Sequence, residues 1–226
     1  MKNSQAQIIV AVILFALPLT SRAALIPTLG GQLLYDTDLN ITWLANANLA
    51  ASIYPESPVH SAGTMRYDLA QSWITNLNAI DYLGYHDWRL PTTLQPDVTC
   101  QYLSSYGNNC SGSEMGHLFY KELGGVAGQS IQTTHNANYN LFKNLQPFVY
   151  WSSTGYRVEP YYGFEHAWYF GFGDGYQSTI RMPNELYALA VRSGPVAVVP
   201  VPGTGLLLGS GLLGLTCFKR RRLQPR

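Results

Sequence analysis

The sequence predicts an α+β fold in which short strands come first, two helices follow, and the last third is a mainly antiparallel run of strands. Three observations carry this. Residues 32–36 and 41–45 read as short strands on either side of the turn Thr37-Asp38-Leu39-Asn40. Met65, Leu69, Trp73 and Leu77 recur at intervals of four with Ile74 beside them, the stripe of a helix that buries one face. Gly173-Asp174-Gly175 separates residues 166–172 from 176–181 as a hairpin turn does.

The other elements fall between these. Residues 46–62 hold Pro55 and Pro58 and read as irregular. Pro91 ends any regular element in the stretch from Gly84 to Thr92. A second helix is predicted over residues 114–123, where Ser111 and Glu114 have capping-box spacing and Gly124-Gly125 supplies the stop. Residues 124–147 are rich in Asn, Gln, Gly and Thr and read as loop. A strand over 148–152, a loop over 153–164 and a final apolar strand over 186–192 complete the chain's body.

A length of 226 residues suits one main domain. Only 12% of residues are charged and 13% are aromatic, the reverse of a disordered composition. The formal net charge of +1 conceals an asymmetry, because the basic residues gather at the ends. Residues 24–195 carry seven basic side chains against thirteen acidic ones, a net of −6. An acidic body lacks the clustered Lys and Arg that a phosphate backbone requires, which excludes nucleic acid as a partner.

Both ends read as targeting segments. Residues 1–23 form a signal peptide: Lys2 precedes an apolar run over residues 8–17, and Ser21-Arg22-Ala23 places small residues where signal peptidase cuts. The run is too short to span a hydrocarbon core of ~30 Å. Residues 24–195 are the exported domain, and residues 196–226 a tail. Within the tail, residues 204–218 carry no charge and are expected to form one C-terminal transmembrane helix. Lys219, Arg220, Arg221 and Arg222 follow at once and hold that end in the cytoplasm. The body then lies across the inner membrane.

Export bears on the cysteines. Cys100 and Cys110 stand ten apart in a polar stretch and are expected to pair as a disulfide in an oxidising compartment. Such a bridge contributes roughly 2–3 kcal/mol. A metal site is the alternative, but no second Cys or His pair stands at zinc spacing. Cys217 belongs to the membrane tail.

The tail, with Val199-Pro200-Val201-Pro202, the Gly/Leu-rich stretch 205–215 and the basic end 219–222, resembles the PEP-CTERM sorting signal of Gram-negative bacteria. Val201 stands where that family usually has Glu. The resemblance implies that Pro200, Pro202 and the Lys219–Arg222 run form a sorting signal recognised by an exosortase. The chain would be an inner-membrane-anchored intermediate, then an envelope, surface or secreted protein. A simple tail anchor is the alternative.

LLYDTDLNITWL (33–44), DWRLPT (87–92), SEMGHLFYKEL (113–123), YWSST (150–154), AWYFGFGDGYQ (167–177) and YALAVRSG (187–194) resemble in combination the Lcl C-terminal-like domain, a bacterial domain at the end of a collagen-like surface adhesin. That resemblance spans roughly residues 32–194 and implies a C-type-lectin-like fold, akin to formylglycine-generating enzymes, and surface display.

The sequence offers little catalytic chemistry. No nucleophile elbow, phosphate loop, HExxH or CxxC occurs, and no catalytic residue, cofactor or metal is expected. Glu114 and His117 have the spacing of one helical face, but di-iron sites need that motif twice, so a capping Glu and a packed or exposed His are expected. Asp36 and Asp38 stand at alternate positions, as calcium ligands do, yet fit a turn. Arg89 and Arg192 lie in apolar surroundings and call for ion-pair partners among Asp87, Asp36 and Asp174.

One candidate ligand loop stands out. Residues 154–164 carry Tyr156, Arg157, Glu159, Tyr161 and Tyr162, with Glu165 just beyond. In C-type lectins this segment holds an EPN sugar motif, and here Glu159-Pro160-Tyr161 lacks the Asn. Tyrosine rings stack on sugars while polar groups orient them, or pack the loop onto the body. The expected function is a non-enzymatic surface binding protein, related to adhesion or biofilm matrix, with an extracellular polysaccharide or other glycan as partner. The alternatives are an envelope enzyme or enzyme remnant of the formylglycine-generating type, or a purely structural matrix protein.

Overall fold

In chain order the elements are β1 (Leu25–Thr28), β2 (Leu33–Asp36), β3 (Ile41–Leu44), α1 (Leu49–Ile53), α2 (Tyr67–Ala79), α3 (Glu114–His117), β4 (Val149–Tyr156), β5 (His166–Gly171), β6 (Gln177–Arg181) and β7 (Val191–Ser193). They come from a computed structural model that describes residues 25–53, 62–102, 105–156 and 165–196. The class is α+β with antiparallel sheets, as predicted. One sheet has the order β1-β2-β3-β7 and the other β4-β5-β6. The expected signal peptide, sorting signal and C-terminal membrane helix lie outside the described residues. Among the described residues no helix is long and apolar enough to cross a membrane.

Period-two alternation divides the first sheet between two cores. Leu33 pairs with Leu44 across the hairpin, and Leu34 with Trp43. Leu34 and Trp43 enter one apolar cluster with Met115, Leu118 and Phe119 from the α3 region. Leu33 and Leu44 enter the other with Trp73, Ile74 and Leu77 from α2. The strands are therefore covered on both faces, and β3 is buried at all four positions. The helix stripe read from the sequence holds from Leu69 to Leu77 against one core, while Met65, buried in the same core, precedes the helix and bridges to Leu186.

Four expectations are corrected. Among the described residues there are three α-helices, not two, because α1 forms at the start of the stretch where Pro55 and Pro58 suggested irregular chain. β1, absent from the sequence reading, pairs with β2 over its whole length. The predicted loop over 153–164 begins later, since β4 runs on to Tyr156 with a register shift between Trp151 and Gly155. The predicted strand 186–192 is reduced to β7, because residues 186–190 join the two sheets and bond to both: Met65 pairs with Leu186, Trp151 donates to the Tyr187 carbonyl at 2.9 Å, and Leu44 donates to the Ala190 carbonyl at 3.0 Å.

Candidate functional site

Cys100 and Cys110 form the expected disulfide, with their Cα atoms 4.1 Å apart. The loop it closes has few apolar residues, so polar groups order it. Buried Asp97 accepts bonds from the backbone N–H and hydroxyl of Thr99 on one oxygen, and from the N–H and hydroxyl of Ser113 on the other. Gly107 and Gln177 exchange backbone bonds of 3.0 and 2.9 Å, and the buried Gln177 amide donates to the Ser105 carbonyl at 2.7 Å. Asp97, Cys100 and Cys110 lie close enough to suggest a metal set, but the two sulfurs are bonded to each other.

This clamped loop sets Tyr106 beside the second sheet. The Tyr106 ring lies 4.6 Å from that of Trp168 on β5. Tyr156, the last residue of β4 and 36% exposed, meets Tyr106 edge-on at 6.5 Å and Trp168 at 5.9 Å. Tyr102, 53% exposed, donates its N–H to the Tyr106 carbonyl. Tyr106 and Tyr156 are thus the partly exposed rings at the seam of loop and sheet, and Trp168 beneath them is buried. Burial pushes the Tyr106 phenol up, the Tyr156 hydroxyl adds to this, and a bond with Thr179 works the other way, so the phenol stays protonated at neutral pH. Of the predicted ligand loop, Tyr156 stands here at a strand end and Glu165 is exposed just before β5. Arg157, Glu159, Tyr161 and Tyr162 lie outside the described residues. Tyr106 was missed by sequence reasoning, since the bonds that Gly107 and Ser105 make with Gln177 on β6, which no local signal announces, bring that loop next to Tyr156.

The two buried-arginine expectations divide. Arg192 pairs with Asp87 at 2.8 Å, as expected, and its guanidinium lies 4.1 Å over the Tyr85 ring. Arg89 does not use an aspartate. It makes a bidentate pair with Glu114, at 2.7 and 2.6 Å, and Glu114 also accepts the Thr92 N–H at 2.7 Å. The predicted capping box therefore does not form: Ser113 is the N-cap, and the Glu114 carboxylate turns toward the stronger charge-assisted donors. A Cβ on Gly116 would fall on the Cys110 carbonyl, so the disulfide loop lies directly on α3.

Nor do Glu114 and His117 act together. α3 continues as a π-helical turn, Leu118–Glu122, closed by a bond from the Leu123 N–H to the Leu118 carbonyl. In a regular α-helix residues five apart lie about 140° around the axis, at ~100° per residue. The wider turn brings His117 and Glu122 together, 3.4 Å apart. Asp36 meets them from the end of β2, and ligating atoms of all three lie within 4.8 Å of one another. Asp36 is also the turn residue expected: one oxygen accepts the N–H groups of Asp38 and Leu39, the other the Trp43 indole N–H. Asp38 lies at the outer side, 4.0 Å from the imidazole. Burial pushes the His117 imidazole down, but contact with Glu122 and the charges of Asp36, Glu122 and Asp38 outweigh it and hold its pKa above the ordinary histidine value.

The family model for the Lcl C-terminal domain matches residues 32–192. No curated protein and no solved structure matches the chain. With well over half its length matched by that model, the chain belongs to the Lcl C-terminal domain family.

Proposed function

We propose that this chain is an exported, non-enzymatic binding module of the cell envelope, with an extracellular glycan as its ligand. The observation that carries this is the partly exposed pair of Tyr106 and Tyr156, set over the buried Trp168 at the seam of a disulfide-closed loop and a sheet. Rings fixed by covalent and sheet constraints stack on a sugar at little entropic cost, and a tyrosine hydroxyl at the edge of such a ring offers a hydrogen bond. The disulfide favours an oxidising compartment. The antiparallel sheets and the helices on either side of the first sheet accord with a C-type-lectin-like fold. In this reading signal peptidase cuts after Ala23, and an exosortase acts on Pro200, Pro202 and the basic run Lys219–Arg222.

A glycan array probed with the purified chain tests the ligand class. Binding to a narrow set of polysaccharides, weakened about tenfold by Tyr156→Ala, is the expected result; tenfold is about 1.4 kcal/mol, the scale of one ring stack. No binding at all would favour the structural-matrix alternative. Stoichiometric copper in the purified protein would favour the enzyme alternative, which needs both thiols that the disulfide occupies. For the address, deleting residues 199–226 should move the protein from the membrane fraction to the periplasm or medium.

A further inference from the structure

We infer that Asp36, His117 and Glu122 form a binding site for one divalent transition-metal cation, with Zn²⁺ as the ion best suited to the donor set.

The site stands on more than a cluster of acids. Glu122 is wholly buried, with no exposed side-chain surface, and neither of its oxygens receives a hydrogen bond. The His117 Nε2 that faces it is likewise buried without a hydrogen-bond partner. Asp36, also wholly buried, completes the group. Two carboxylates and one imidazole thus converge in the interior. Buried polar atoms in folded proteins are nearly always satisfied, and an exception of this kind calls for an ion or a bound group. A dipositive cation balances the two carboxylates and satisfies the free oxygen and nitrogen lone pairs at once.

The chemistry of the donors selects the ion. Calcium and magnesium prefer sets made wholly of oxygen, whereas an imidazole nitrogen favours zinc and its neighbours. Three protein ligands of the His/carboxylate type are also what an open zinc site uses, with a fourth position left for water or a further ligand. Asp38 is placed to reach that position: its carboxylate is 39% exposed and lies 4.0 Å from the imidazole, on the solvent side of the cluster. Coordination radii of about 2.0–2.2 Å require the three side-chain tips to draw together, a movement within rotamer reach.

The supporting structure is also of the right kind. Asp36 is oriented by the Trp43 indole N–H at 3.3 Å and by two backbone N–H groups, which fix the carboxylate as outer-shell donors do in metal sites. His117 and Glu122 face one way only because the helix widens into a π-helical turn between them, a distortion often found at functional sites. The Glu122 backbone carbonyl accepts bonds from the Asn136 and Asn138 side-chain amides at 2.8 and 3.0 Å, so the turn is tied down on its far side.

The test uses the full chain, stripped with EDTA under non-reducing conditions and titrated with Zn²⁺ alone. One Zn²⁺ per chain is expected, and the thermal midpoint should rise by about 5 °C or more at a hundredfold excess over the dissociation constant. Glu122→Gln and His117→Gln should each abolish the midpoint shift, while Cys100→Ser with Cys110→Ser should leave it intact. Co²⁺ should replace Zn²⁺ in the unmodified chain and give a visible absorption band, a readout that depends on no variant. The assignment is overturned if the unmodified chain takes up no Zn²⁺, if both variants bind it as well as the parent, or if equimolar Ca²⁺ displaces it.

Discussion

The carboxylates of Glu114 and Glu122 stand at the two ends of one helical segment, and the protein treats them in opposite ways. Glu114 opens α3 with both oxygens engaged by Arg89 and a third bond from the Thr92 N–H. Glu122 closes the π-helical turn with neither oxygen hydrogen-bonded and with the His117 imidazole, 3.4 Å away, as its charge contact, although it is the more deeply buried of the two. A buried charge with a complete donor set fixes geometry, and here it ties the Arg89–Thr92 segment to the helix. A buried charge with no donor set destabilises the chain unless something else supplies the missing partner. The first end reads as architecture, the second as a site.

The largest effect should come from breaking the satisfied end. Arg89→Ala leaves the Glu114 carboxylate with only the Thr92 N–H and should cost about 3 kcal/mol, at the low end for buried pairs because Arg89 keeps 31% of its side chain in water. Urea denaturation measures this directly. A loss below about 0.5 kcal/mol would place the pair among surface bridges and remove the contrast.

Next in size is the disulfide, which braces the same end through the contact of Cys110 with Gly116. Replacing Cys100 and Cys110 with Ser together should lower stability by about 2 kcal/mol. Protease cleavage should increase near residues 95–112 while β5 and β6 stay protected. Mass spectrometry of the digest reads the cut sites. Cleavage spread evenly over the chain would mean that the loop is not a local brace.

How much of this the sequence disclosed depends on distance along the chain. The β2–β3 hairpin, the α2 stripe and the β5–β6 hairpin were legible because period and turn residues are local signals. β1 was not, since four residues with Pro27 in the middle carry no alternation, and pairing with β2 alone defines them. The disulfide was legible from two cysteines and an address. The aromatic pair was half legible: Tyr156 stood in the candidate loop, but Tyr106 reaches it only through folding. Asp36 and His117 each drew notice and were assigned elsewhere, because Glu114 has the right helical spacing to His117 and Glu122 has the wrong one. A π-helical turn inverts that rule, and nothing in residues 118–122 announces it.

The smallest expected effect sharpens the comparison most. Glu114→Gln and Glu122→Gln are the same chemical change at the two ends of one segment, so helix propensity and side-chain volume nearly cancel between them. At Glu114 the change removes the counter-charge of Arg89 and weakens three hydrogen bonds, and a loss of about 2 kcal/mol is expected. At Glu122, in metal-free protein, two consequences oppose each other. The charge contact with His117 is lost, while an unbonded buried charge is removed from beside Asp36. The amide also gains N–H groups that can donate to Asp36 or to the imidazole. The net change should stay within about 1 kcal/mol of zero. Paired urea titrations of the two variants in EDTA decide the matter. If Glu122→Gln costs as much as Glu114→Gln, the Glu122 carboxylate is already well satisfied, and the asymmetry between the two ends of the segment disappears.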